Sequence, residues 1–175
     1  MKDIKNYKSK SKSISSSQIL FEDYNFSNAR LILKEMVEQK SLELVEKDLE
    51  TYSIKLYIGY SKDIIKSTGG SRKLSNPTNV YSKLIKEFLE LYDKTTNRIY
   101  PIRRIGIAFC KLYKKEYEQI DLFVDLNSIK KEKNLEKTIY KLKQDMGKNV
   151  ILKGMNLQEK STAKLRNTLV GGHNG

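Results

Sequence analysis

The chain is 175 residues long, 38% apolar and 31% charged, with a single cysteine and a formal net charge of +13, which is enough apolar material for one core but not for a core that uses every segment. No apolar run approaches the ~18 residues of a membrane-spanning helix, the polar, basic start lacks the apolar stretch of a signal peptide, and a lone Cys110 supports neither a disulfide framework nor a zinc cluster. A cytoplasmic protein without a membrane partner is expected.

Residues 1–8 read as a disordered extension. Ser9 to Phe21 (SKSKSISSSQILF) is dense in serine and takes on strand character towards its end. After a loop over 22–26, Ser27 is placed to cap a helix running to about Leu49, with Leu33, Met36, Val37, Leu44 and Val45 at helical spacing. Ser53 to Ser61 alternates as a strand: Ile54, Leu56, Ile58 and Tyr60 face one way, Lys55, Tyr57, Gly59 and Ser61 the other. Ser67 to Leu74 is a weaker strand, broken by Asn76-Pro77. Thr78 or Asn79 can cap a second helix, whose stripe is Val80, Leu84, Ile85, Phe88 and Tyr92. Pro101 opens a last strand ending near Lys114, where Ile105, Ile107 and Phe109 alternate with Arg104, Gly106 and Ala108. Beyond it, Leu135, Ile139, Leu142 and Met146 form a narrow stripe on a short lysine-rich helix, about 130–146, stopped at Gly147. Asn149 to Gly175 has no clear period.

The order β-α-β-β-α-β predicts an α+β fold: a two-layer sandwich over residues 9–115, with two helices on one face of a mainly antiparallel four-stranded sheet. A C-terminal tail with a short helix follows over 126–175. Phe21, Phe88 and Phe109 fit core positions.

Charge is uneven. Residues 1–20 carry a net +4 and residues 130–175 a net +7, so the middle carries only +2. A polyanion is the natural partner, and nucleic acid fits better than membrane because no apolar amphipathic anchor accompanies the charge. The sheet face that the helices leave open would present Lys10, Ser11, Lys12, Ser13 and Ser15 from the first strand. Lys55 and Tyr57 would come from the second, Ser71, Arg72 and Lys73 from the third, and Arg103 and Arg104 from the last. Hydroxyls and cations of this kind hold phosphate oxygens without reading bases, and glycines in place of β-branched residues would let a partner approach closely. An ordinary solvated sheet face is the alternative. Only Tyr57 is placed there for base stacking, so a single-strand platform is not expected.

No catalytic constellation emerges. His173 stands among terminal glycines without a ligand partner, Cys110 reads as a structural thiol, and Gly69-Gly70 is not followed by a phosphate-loop signature. No strand-borne acidic pair is placed to hold Mg²⁺. Neither a metal site, a cofactor nor an activity of its own is expected of this chain.

One short peptide remains, Gln119-Ile120-Asp121-Leu122-Phe123, following the sheet after a basic linker. It resembles the sliding-clamp-binding motif of bacterial DNA polymerases and repair proteins. Leu122 and Phe123 would act as apolar anchors and Gln119 would hydrogen-bond at the pocket edge. Ile120 stands where Leu is usual. With KSKSISSSQIL, PIRRIGIAF and the tail GKNVIL…RN…GGH, the chain over roughly 9–173 resembles the C-terminal part of a UmuC-like, Y-family translesion DNA polymerase, of the UV-damage-repair type from Gram-positive bacteria. The resemblance implies a little-finger domain that grips primer–template or damaged DNA through its backbone, a sliding clamp bound by residues 116–125, and a role in damage repair and SOS bypass. It also implies that the catalytic palm, with its Mg²⁺ carboxylates, lies N-terminal to this region in the parent polymerase. A stand-alone nucleic-acid- or protein-binding α+β module is the other reading, since fold alone does not fix function.

Overall fold

The computed structural model describes residues 13–114 and 126–169. In chain order these form β1 (Ser13–Tyr24), α1 (Phe26–Glu46), β2 (Leu49–Tyr60), β3 (Thr68–Thr78), α2 (Tyr81–Thr95), β4 (Ile102–Lys114), α3 (Leu126–Met146) and the short α4 (Ala163–Arg166). The four strands make one sheet in the order β1-β4-β2-β3, and every neighbouring pair is antiparallel. The expected α+β sandwich is therefore the observed one.

Strand alternation sets the core. Ile54, Leu56 and Ile58 of β2 oppose Phe109, Ile107 and Ile105 of β4 in register, and all six are buried. Above them lie Ile32, Leu33, Met36 and Val37 of α1 and Leu84, Phe88 and Tyr92 of α2. Phe88 meets Phe109 edge-on at 5.7 Å between ring centroids, a geometry that adds to the area both rings bury. A two-pronged contact from Arg30 to Asp93, at 3.0 and 3.1 Å, ties α1 to α2. Phe21 departs from the expected core: it faces out from β1 and is 51% exposed.

Element ends follow local chemistry. Asn25, rather than Ser27, caps α1, its side chain accepting from the Asn28 N–H at 2.8 Å. The helix stops short of Leu49 because Asp48 takes a left-handed φ of 48°, a conformation Asp tolerates. Leu49 then belongs to β2. Strand β3 runs through Asn76-Pro77 instead of breaking there. It is an edge strand, so the N–H that Pro77 lacks is not missed by a neighbour. Ser61 does not face out with Lys55: the chain turns into a 3-10 segment (Ser61–Asp63) and Ser61 is buried, its N–H donating to the Pro101 carbonyl at 2.9 Å.

The tail packs on the helix side. At 21 residues, α3 is longer than expected, and its apolar stripe packs only in its middle: Ile139 and Leu142 are half-buried, while Leu135 and Met146 are 60% and 67% exposed. Its acids make the specific contacts, and Glu136 is the helix's buried residue among those described. Glu132 accepts from the Ser82 N–H at 2.9 Å and Glu136 from the Tyr81 N–H at 3.3 Å. These two carboxylates cap α2, where Thr78 and Asn79 supply no side-chain cap to the helix and first-turn N–H groups need acceptors. Lys133 pairs with Glu50 at 3.3 Å and Lys137 with Asp48 at 3.4 Å.

Further along, a 3-10 turn (Gly154–Leu157) and the segment to α4 cross α1 at the buried Glu35. Glu35 accepts from Asn156 Nδ2 at 3.2 Å, from Ser161 Oγ, and from the Thr162 N–H and Oγ1 at 3.1 and 3.3 Å. Gln18 Nε2 donates to Thr162 Oγ1 at 3.0 Å, and Lys160 pairs with Glu22 at 2.7 Å. This is why the buried set of α1 includes Glu35, Glu38 and Ser41: the helix is covered by the sheet on one side and by the tail on the other.

Candidate nucleic-acid interface

The register of the sheet fixes what its open face presents. Across the strands, one row runs Ser15, Ala108, Lys55, Ser71, and the next runs Ser17, Gly106, Tyr57, Gly69. Ile19, Arg104 and Gly59 continue the pattern at one end, and Ser13, Cys110, Ser53 and Lys73 at the other. The centre is a shallow concavity of about 780 Å³, floored by small side chains and walled by Lys55, Tyr57, Ser71 and Arg104.

Electrostatically the face is one-sided. Among the described residues, Lys55, Lys73 and Arg104 have no carboxylate within ion-pair distance, unlike Arg72 and Arg103. Lys73 instead lies over the Tyr52 ring, 4.8 Å from its centroid, and that ring meets Tyr113 edge-on at 6.4 Å. Three cations with unfilled donors, set beside Ser13, Ser15, Ser17 and Ser71, form an array of donors suited to phosphate oxygens.

Two of the glycines on this face serve the protein's own packing. A Cβ on Gly59 would come within 3.3 Å of Tyr57 Cε1 and 3.1 Å of Arg104 Cβ, and one on Gly106 within 3.4 Å of Tyr57 Cβ. The Tyr57 ring thus lies over the gap left by these glycines, an aromatic filling the space a side chain would take. The close approach expected of an outside partner is here taken by Tyr57 itself.

Of the residues anticipated for this face, the structure brings together Ser13, Ser15, Lys55, Tyr57, Ser71, Lys73 and Arg104. Arg72 is a correction. It is in register with the core residue Ile54, so it turns to the helix layer, where its guanidinium meets Glu87 at 2.8 Å and Glu90 at 2.9 Å on α2. Those carboxylates raise its pKa further. Arg103 is drawn to the sheet edge by Asp23 at 3.6 Å. Lys10, Ser11 and Lys12, and the whole Gln119, Ile120, Asp121, Leu122, Phe123 peptide, lie outside the described residues. Ile19 and Phe21 add an exposed apolar end to the face; the strict alternation Ser13, Ser15, Ser17, Ile19, Phe21 is the signal in the chain that marks Phe21 as outward-facing rather than core. Among the described residues no cluster of His, Cys, Asp and Glu is placed to hold a metal, and no helix is long and apolar enough to cross a membrane.

Fold and face together define a class: an α+β sandwich whose helices cover one side of an antiparallel sheet and whose other side is open and basic. The chain belongs to the family described as the impB/mucB/samB family C-terminal domain, which its residues 11–122 match; this is the C-terminal, little-finger region of Y-family DNA polymerases. A DNA polymerase IV from Bacillus velezensis is 30% identical over 121 residues, covering 68% of this chain. The chain spans 28% of that relative's length. Among solved structures, the little-finger domain in a complex of PolIV with the beta-clamp processivity factor is 15% identical, covers 65% of this chain and all of that one, and has a TM-score of 0.46. A post-insertion binary complex of Dbh DNA polymerase is 16% identical, covering 57% of this chain and 28% of that one, with a TM-score of 0.41.

Proposed function

We propose that this chain is the DNA-gripping part of a translesion polymerase that acts in damage bypass, holding primer–template by its phosphate backbone on the open sheet face. The observation that carries the reading is the pairing pattern of the cations. Among the described residues, Lys55, Lys73 and Arg104 stay free of carboxylates on the open face, while Arg72, one residue from Lys73, is neutralised on the helix side. A face built this way positions a duplex and leaves base identity unread. In the parent polymerase the chemistry would belong to the palm and its Mg²⁺; residues of this chain would hold the product duplex in register with it.

Docking to a sliding clamp through Gln119–Phe123 is the second part of the proposal. The motif falls between β4 and α3, both of which are held to the sandwich. Leu122 and Phe123 would anchor in an apolar pocket of the clamp.

Fluorescence anisotropy with labelled duplexes of unrelated sequence tests the grip. Similar affinities are expected, falling steeply with salt, and affinity that ignores salt would refute it. Leu122→Ala with Phe123→Ala is expected to abolish clamp binding in calorimetry while leaving duplex binding intact; unchanged clamp affinity would refute the docking.

A further inference from the structure

Away from the sheet face, α1, α3 and the tail enclose a cavity of about 280 Å³, into which Lys143, Lys148 and Arg166 project as lining residues. Its three cationic residues lie beyond the family match, which ends at residue 122, while its α1 wall lies within it. We propose that this cavity is a binding site for a small phosphate-class oxyanion, held by the Arg166 guanidinium with Lys143 and Lys148.

The argument starts from Arg166. It is half-buried on α4, and none of its side-chain donors has a hydrogen-bond or ion-pair partner among the described residues. Burial lowers its pKa, with the charge of Glu35 opposing the shift, yet an arginine keeps its proton at any working pH. With part of its surface open to solvent, the guanidinium can exchange its hydration for an entering anion, which a planar donor fork holds through two charge-assisted bonds. Glu35 is the acid whose charge it feels, but that carboxylate already accepts from Asn156, Ser161 and Thr162.

The other acids of the cavity are engaged too. Glu43 is bridged by Lys40 at 2.7 Å and Lys47 at 2.6 Å. Glu38 is paired with Lys153 at 3.6 Å, and Glu46 is exposed to water at the rim, where it raises the pKa of the Tyr140 hydroxyl. Glu35, Glu38 and Glu43 are thus engaged within the protein and Glu46 is solvated, while Lys143, Lys148 and Arg166 remain without an ion-pair partner among the described residues. Three uncommitted cations suit a doubly charged tetrahedral oxyanion. The planar guanidinium can hold two of its oxygens at once, and the lysines act as point charges. A volume at the low end of ligand pockets fits an ion or a single phosphate group rather than a large cofactor.

Such a group can arrive free or as the terminal phosphate of a nucleotide chain. Isotope-labelled full-length protein titrated with inorganic phosphate, against sodium chloride of equal ionic strength, reads the site through the Arg166 Nε–H and Asn167 amide signals. Saturable shifts with phosphate and none with chloride are expected. Arg166→Gln is expected to weaken binding by about tenfold or more, as loss of a charge-assisted contact does, and Lys143→Gln to weaken it less. Competition by a short 5′-phosphorylated oligonucleotide, compared with its 5′-hydroxyl form and with a nucleoside monophosphate, assigns the source. No saturation, equal response to chloride, or full affinity in both variants would overturn the proposal. Because Lys55→Ala should leave phosphate binding unchanged, failure here is distinct from failure of the duplex grip.

Discussion

Gly69 leaves room in β3 for a hydrogen and nothing larger. Its φ is +117°, and a Cβ there would sit 2.2 Å from the Leu56 carbonyl oxygen, a backbone atom that cannot step aside. Gly69→Ala is therefore expected to cost about 3 kcal/mol or more in urea denaturation, whereas at Gly70, where a Cβ meets nothing within 4 Å, only the backbone strain remains and the loss should be nearer 1 kcal/mol. Glu136 acts at the same scale through pH. Burial and then the charge of Glu132 push its carboxyl up to about 7, against the Tyr81 N–H and the charges of Lys153 and Lys133. A carboxyl with a raised folded pKa keeps its proton longer folded than unfolded. Its contribution is full below the ordinary value of 4.5 and is lost as pH rises to about 7, beyond which stability is level in this group. Glu136→Gln keeps an acceptor for Tyr81 and removes the ionisation. Denaturation from about pH 5 to about pH 8 should then lose the downward slope expected of the unsubstituted chain, with the variant gaining most above neutrality. Neither residue's role was legible from its neighbours in the chain, since each depends on an atom of another element. Arg72 shows the same limit: alternation through Gly69-Gly70 could not say which of Arg72 and Lys73 turns inward, and Ile54, its cross-strand partner, decides it.

At the scale of elements, the period-2 runs in β2 and β4 and the apolar stripe of α2 were readable because each buries one apolar face against the sheet, which is the property that periodicity reports. The docking of the tail was not, because it is polar. Its hydrogen bonds join residues far apart in sequence, as from Ser161 and Thr162 to Glu35, and carboxylates at Glu132 and Glu136 look like any solvated pair one helical turn apart. The apolar stripe of α3 was only half informative for the same reason, since Ile139 and Leu142 are half-buried but Leu135 and Met146 stay in water. A buried carboxylate with four donors fixes the tail in one position more than it stabilises the whole. Removing it strands Asn156 and Thr162 without their acceptor and leaves Ser161 only the Asn156 carbonyl, at 2.8 Å. Glu35→Ala is thus expected to cost about 2–4 kcal/mol. Hydrogen exchange should show amides of 150–169 losing protection, while those of β2 and β4 keep theirs. Equal loss across the sheet would mean that the tail and sandwich unfold as one unit.

Over the whole molecule the charge of +13 divides between two sides that do different electrostatic work. On the open sheet face, Lys55, Lys73 and Arg104 are free of carboxylates among the described residues, and each phosphate they neutralise should release a counterion from a bound duplex. On the helix side, four tail lysines are tied to Glu22, Glu38, Asp48 and Glu50, so much of the tail's excess is spent within the fold. Net charge alone would predict that any lysine-to-alanine change weakens duplex binding alike, through the long-range field. The two-sided arrangement predicts otherwise, and the slope of log affinity against log salt distinguishes them because it counts contacts rather than field strength. Lys55→Ala and Arg104→Ala should each reduce the magnitude of that slope by about 1 and weaken all duplex sequences to a similar extent. Lys133→Ala and Lys137→Ala, which remove charge of the same sign from the helix side, should leave the slope unchanged within error and shift affinity only at low salt. If the tail substitutions change the slope as much as Lys55→Ala does, the duplex reaches around the helix layer, and the open face is only one part of the contact surface.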